Sequence, residues 1–194
     1  MKRLIIIMGG STGAGKTTHG KLLALAGGWT YVSSGNIARD FMDSETDILF
    51  KEGQLSPHEH EIRLKLYDYL VNSKISILDG FPRLQEQYDL LLNWCNELEA
   101  HLFLVWLMPS RAVLEHRWKD RNRDDYDNSH ATLKRDELYQ TKTLPILEQM
   151  KTETSHVIIS IGEKDEQIGD VHKLILGALI EFRFGKNVPT GGQA

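Results

Sequence analysis

The sequence predicts a doubly wound α/β fold: a three-layer α/β/α sandwich on a parallel sheet of about five strands. Short, nearly continuous apolar runs recur along the chain, the habit of strands buried on both faces. Segments long enough to be helices separate them. A length of 194 residues allows one compact domain with a sizeable core and is too short for two full ones.

Leu4 to Met8 is the first apolar run, ended abruptly by Gly9 and Gly10. The preceding Met1-Lys2-Arg3 has the charge of a signal peptide, but the apolar run is too short for its hydrophobic region, so a short buried strand fits better. A helix follows from Thr17 to Ala26, stopped by Gly27-Gly28, and then a weaker strand, Trp29 to Val32. In Ser56-Pro57-His58-Glu59 a capping serine, a proline at the first helical position and a glutamate three residues beyond the cap open a helix running to about Val71. Ile75 to Leu78, Leu102 to Leu107 and Val157 to Ile161 are the remaining strands. Leu84 to Leu98, Ser110 to Asn122, His130 to Met150 and Asp165 to Phe182 are the remaining helices. Residues 1–185 are expected to form a single domain, and the tail from Lys186 to Ala194, with Pro189 and Gly191-Gly192, is expected to be disordered.

The composition, 41% apolar and 26% charged, is that of a soluble globular protein. A net charge of −4 gives no global basic field, so neither DNA nor RNA is expected as a partner. No apolar stretch approaches the roughly 20 residues needed to cross a bilayer. The lone Cys95 excludes an internal disulfide and a multi-cysteine zinc site, which suits a reducing cytosol; within a helix and away from basic neighbours it reads as an inert thiol.

Gly10-Ser11-Thr12-Gly13-Ala14-Gly15-Lys16-Thr17 matches G-x-x-x-x-G-K-[ST] in full, between a predicted strand and a predicted helix. The glycines let successive N–H groups turn toward a polyphosphate at a helix N-terminus. Lys16 then reaches the β- and γ-phosphates, and the Thr17 hydroxyl is placed to ligate Mg²⁺. A glycine-rich turn that merely joins strand to helix needs neither the lysine nor the threonine. The motif specifies binding of a nucleoside triphosphate such as ATP, not its fate.

Leu78-Asp79-Gly80-Phe81-Pro82-Arg83 ends a buried strand. Asp79 there is placed beside the phosphate loop to hold a water on Mg²⁺, and Arg83 projects over the crevice at the strand ends. Most Asp-Gly pairs are only turns.

With these motifs in this order the chain resembles the adenylate kinase family and its relatives the UMP/CMP kinases over roughly residues 3–180, and the resemblance implies a P-loop kinase fold. Val32 to Arg39 resembles the segment that receives the monophosphate, implying that Ser34 approaches the base and Arg39 the phosphate. Gly53-Gln54-Leu55-Ser56 resembles the loop that packs on that base, and Gln87 falls where adenylate kinases place a base-reading glutamine; Gly80 and Arg83 complete the monophosphate site. The implied insert that receives the monophosphate spans about residues 33–72.

Arg117 and Arg121, four apart on one helix face, are implied to lie on the ATP base and phosphates. Lys134 to Tyr139 repeats a late helix motif in which Arg135 faces the transferred group, and Gly162-Glu163-Lys164 resembles the loop bordering the ATP adenine, with Gly162 and Lys164 as contacts. Gly10, Gly13, Ala14, Gly15, Lys16, Thr17 and Thr18 form the phosphate site. Lys16, Arg83, Arg121, Arg123 and Arg135 are the candidate catalytic cations, and arginine's planar fork suits phosphate oxygens. Arg111 and Lys119 read instead as a solvated helix face.

Two features depart from the family pattern. Thr17-Thr18 replaces the usual glycine-threonine after the lysine, so either hydroxyl is available to the metal, with Thr17 the first choice. The lid, about residues 121–129, is very short; Arg123 and Asp124, Asp125 or Asp127 have no fixed register in it, and it has no room for zinc. His58 and His60 with Glu59 and Glu61 lack the H-E-x-x-H spacing and read as an exposed helix start, while Trp94, Trp106 and Trp118 read as packing residues.

The expectation is a cytoplasmic, monomeric nucleoside monophosphate kinase using ATP and Mg²⁺, with small nucleotides as partners and no membrane or nucleic acid. AMP leads as acceptor because Ser34 and Gln87 offer hydrogen bonds that adenine can use. UMP, CMP or a deoxynucleotide is the alternative, since a glutamine amide presents either its donor or its acceptor end. A P-loop kinase of a non-nucleotide small molecule and an inactive ATP-binding module are the other readings.

Overall fold

A computed structural model describes residues 2–41, 56–119, 129–162 and 167–184. Its centre is a five-stranded parallel sheet in the order β2-β3-β1-β4-β5, with β1 Arg3–Gly9, β2 Thr30–Ser33, β3 Ile75–Asp79, β4 Ala100–Pro109 and β5 Ser155–Ile161. The expected strands are these. Helices α1 Lys16–Gly27, α2 Ser34–Arg39, α3 Glu59–Val71 and α4 Gln85–Glu97 alternate with the first strands. After β4 come α5 Arg111–Lys119, α6 Ser129–Leu138 and α7 Leu144–Glu153, and α8 Ile168–Phe184 follows β5. Among the described residues no helix is long and apolar enough to cross a membrane.

The period-2 geometry of β1 divides the core. Ile5 and Ile7 face a layer containing Ile37 of α2, Leu66 of α3, Leu91 of α4 and Leu147 of α7. Leu4, Ile6 and Met8 face the other layer, with Leu23 of α1 and Val171, Ile175 and Leu179 of α8. Both faces of β1 are therefore buried, as its unbroken apolar sequence requires. The chain continues from β1 to strands on one side and then crosses to β4 on the other. This places a topological switch point at the carboxyl ends of β1, β3 and β4, where open α/β sheets bind ligands.

Two element expectations are corrected. The continuous helix over His130 to Met150 is broken by a π-helical turn, Tyr139–Thr143, because Pro145 in the first turn of α7 has no N–H for the ladder. The helix expected at Pro57 starts instead at Glu59, with His58 as N-cap; Ser56 Oγ accepts from His58 N at 3.2 Å, a local turn that uses up the expected cap. Trp94 and Trp106 are core residues, Trp106 donating its Nε1–H to Tyr139 OH at 3.2 Å. The expected disordered tail lies outside the described residues.

Candidate active site

The loop between β1 and α1 adopts positive φ at Gly10, Gly13 and Gly15, a path side chains rarely follow. At Gly10 a Cβ would stand 2.6 Å from the Leu107 carbonyl oxygen, so the loop packs on β4 only without one. Lys16 opens α1 and folds back along the loop, where Nζ donates to the carbonyls of Gly10 at 2.8 Å and Ser11 at 2.7 Å. The ammonium is thus held across the loop. Ala14 is buried against this turn, and Ala14 N–H donates to Ser11 O at 3.2 Å.

The sheet register places Asp79, the last residue of β3, between Met8 of β1 and Ser33 of β2. Its Oδ2 accepts from Thr17 Oγ1 at 2.6 Å and from Tyr31 OH at 2.7 Å. Burial raises the Tyr31 phenol above its ordinary range and the Asp79 charge adds to this, so the hydroxyl remains a donor. Thr17, not the exposed Thr18, therefore shares the end of β3. A hydroxyl and a carboxylate at this separation fit Mg²⁺, a hard cation that takes one or two protein oxygens and completes its octahedron with phosphate and water.

Beyond Asp79, Gly80 turns the chain at φ 82°, and Ser34 Oγ donates to Gly80 O at 2.7 Å. Arg83 Nε donates to the same carbonyl at 2.9 Å, fixing the guanidinium under the turn. Burial pushes the Arg83 guanidinium below its ordinary range and Arg135 adds to this, while Asp79 and Glu59 pull the other way. It stays protonated, since the free value is far above neutrality. Arg83, Arg135 and Asp79 are thus brought into one electrostatic neighbourhood.

A cleft opens beside this turn, walled by Ser34, Gly35, Ala38, Ser56, Glu59, Ile62, Gly80, Phe81, Arg83 and Gln87. Gln87 is buried, and its Oε1 accepts from Arg83 N at 2.7 Å while its Nε2 donates to Glu59 Oε1 at 2.6 Å. A backbone N–H must donate and a carboxylate must accept, so these partners fix which way the amide points. Glu59 Oε1 also accepts from Arg63 Nε at 3.0 Å.

Other expected residues stand elsewhere. Arg39 is exposed at the end of α2, donating Nη1 to Asn36 Oδ1 at 2.6 Å, and is not part of the cleft wall. Arg117 Nη1 donates to Gly13 O at 3.2 Å and Ala14 O at 3.4 Å, so it lies against the phosphate loop. Gly162 follows β5 with open space where a Cβ would be. Gln54, Arg121, Arg123 and Lys164, residues 121–128 of the lid and the Gly53-Gln54-Leu55 stretch lie outside the described residues.

Tyr31, Glu59, Arg111 and Trp118 belong to the site's surroundings and were not legible as such. Tyr31 reads as a strand residue and Glu59 as a helix-start residue. Arg111, expected on a solvated face, donates Nη1 to Asp136 Oδ2 at 2.7 Å and Nε to Glu115 Oε1 at 2.8 Å. An ion pair across 25 positions leaves no local signal.

With this geometry in view, a family model for an AAA domain matches residues 9–134. A curated adenylate kinase of Deinococcus radiodurans is 31% identical over 166 residues, covering 76% of this chain and 83% of that protein. The chain belongs to the adenylate kinase family. The adenylate kinase of Parabacteroides distasonis is 27% identical over 186 residues, 89% of this chain and 97% of that protein. A crystal structure of a sugar kinase from Janibacter sp. HTCC2649 superposes with a TM-score of 0.61 over 92% of this chain and 95% of that one. At 16% identity that likeness speaks for the fold alone. This family member keeps the phosphate loop, the carboxylate at the end of β3 and the adjoining cleft together at one end of its sheet.

Proposed function

We propose that this adenylate kinase family member transfers the terminal phosphoryl group of ATP to a nucleoside monophosphate, with AMP as the first candidate. The observation that carries the reading is the position of Arg83. It walls the cleft and shares an electrostatic neighbourhood with Asp79 and Arg135 beside the phosphate loop. An acceptor phosphate on Arg83 would face a triphosphate held by the Gly10 to Lys16 loop.

Phosphoryl transfer needs two anions held in line and charge stabilisation as the bond loosens, more than a strong base. Lys16 would hold the β- and γ-phosphates, and Arg83 and Arg135 would bind the transferred group and the acceptor phosphate. Arg121 and Arg123 are assigned to the same group of cations, with Arg117, Gly162 and Lys164 on the ATP side. Ser34, Arg39, Gln54, Ser56, Gly80 and Gln87 are assigned to the monophosphate. Thr17, and Asp79 through water, would hold Mg²⁺, which supplies charge neutralisation between the phosphates.

The locked Gln87 amide supports an acceptor base with adjacent acceptor and donor atoms. Gln87 keeps one N–H of Nε2, and Glu59 stands beside it with a carboxylate, a pair suited to N1 and N6 of adenine. Cytosine offers the same pair at N3 and N4, which makes CMP the second reading. A cytoplasmic monomer completes the proposal.

A coupled assay with ATP·Mg²⁺ and a panel of ribo- and deoxy-monophosphates tests it. AMP should give two diphosphates, and Lys16→Ala and Arg83→Ala should abolish turnover. Turnover of a sugar or another non-nucleotide, with none of any monophosphate, would overturn it.

A further inference from the structure

Between α5 and the phosphate loop lies a contact that none of the roles above uses. Trp118 Nε1–H donates to the carbonyl of Thr12 at 2.8 Å. The indole sits so close that a Cβ on Gly13 would stand 2.9 Å from Trp118 Nε1. Its ring is in turn covered by Arg111, whose guanidinium carbon is 4.7 Å from the ring centroid. Arg111 is held by Asp136 Oδ2 at 2.7 Å on α6, the residue next to Arg135. Asp136 itself is buried.

A trans peptide is planar, with its C=O and N–H pointing in opposite directions. Fixing the Thr12 carbonyl toward α5 therefore turns the Gly13 N–H away from α5. Arg117, on the same helix, acts likewise on the next peptides through the Gly13 and Ala14 carbonyls. A loop with three glycines at positive φ has many alternative paths in solution, so outward anchors of its carbonyls select one of them.

We infer that Trp118 is a positioning residue for the phosphate loop: its indole N–H pins the Thr12–Gly13 peptide so that the Gly13 amide is preset to receive a triphosphate. Arg111 and Asp136 clamp the indole and tie the loop to the helix that carries Arg135. Trp118 touches no substrate in this scheme, and the cation on its face holds the ring in place. The inference rests on the phosphate loop binding a nucleoside triphosphate, but not on any acceptor or on turnover.

Trp118→Phe keeps an aromatic ring for Arg111 and removes the donor together with one ring of the indole. Equilibrium binding of ATP·Mg²⁺ by calorimetry should weaken about fivefold to tenfold, the scale of one hydrogen bond. The acceptor KM should stay within about twofold and the thermal midpoint nearly unchanged, because the pinned peptide faces the triphosphate only. A second measurement uses the unaltered protein. In an ¹⁵N spectrum the Trp118 indole N–H, identified by its loss in Trp118→Phe, should exchange with water far more slowly than a free indole. Binding within twofold of the unaltered protein, or a rapidly exchanging indole, overturns the inference. If ATP fails to bind the unaltered protein, the proposed function falls, and the indole exchange alone then decides the positioning role.

Discussion

Thr17 Oγ1 lies 2.6 Å from Asp79 Oδ2, so the first turn of α1 and the last residue of β3 share one proton across the end of the sheet. Tyr31 OH binds the same oxygen from β2. Three elements, α1, β2 and β3, thereby meet on one carboxylate, next to the loop that holds Lys16.

Asp79→Asn should lower kcat by about 10²-fold, since it removes a negative charge positioned for Mg²⁺ while keeping the shape. The Mg²⁺ concentration needed for half-maximal rate should rise. Steady-state kinetics across a Mg²⁺ titration measures both, and a kcat within threefold of the unaltered protein would remove Asp79 from the site.

Gly80→Ala should damage the acceptor side selectively. The new Cβ would meet Ser34 Oγ at 2.7 Å and Arg83 Nη2 at 2.9 Å, on a residue at φ 82°. Displacing Arg83 should raise the acceptor KM by roughly tenfold, the scale of such backbone strain. The ATP KM should move little, and equal changes in both constants would contradict the division of the site.

Acid should weaken the fold through a histidine pair. His19 of α1 is buried with its Nδ1 unpartnered, and its ring stacks on His172 of α8 at 6.3 Å. Burial, then His172 and Arg117, lower the His19 pKa to about 4. The unfolded chain therefore binds this proton first, so stability is complete above the ordinary value near 6.5 and falls as pH drops from there toward 4. The loss should approach about 3 kcal/mol at the acid end. Denaturant melts of the metal-free protein between pH 7.5 and 4.5 should be flatter for His19→Gln; parallel curves would refute this.

Cys95 should resist alkylation in the native protein. Burial in α4 pushes its thiol up to about 12, so almost no thiolate forms below pH 10. Iodoacetamide labelling followed by mass spectrometry should be slow at pH 7 to 8, should still climb about tenfold per pH unit up to pH 10 without levelling off, and should be fast in denaturant. Rapid native labelling at pH 8 would show that the site opens.

The motif from Gly10 to Thr17, the strand runs and the Asp79 to Arg83 turn were legible because each is local. A phosphate loop needs glycines at fixed spacing, and a buried parallel strand needs an unbroken apolar run. The break at Tyr139–Thr143 was harder to read, since Pro145 only marks where a ladder fails and packing decides how it is repaired.

The sequence by itself determined the sheet and the phosphate loop, since local chain order and side-chain chemistry suffice for those. Only the tertiary structure decided that Thr17 rather than Thr18 meets Asp79, that Gln87 is locked by Glu59, and that Trp118 grips the loop. These contacts join residues 28 to 106 positions apart. A hydrogen bond is set by distance and angle in space, and chain spacing carries no record of either.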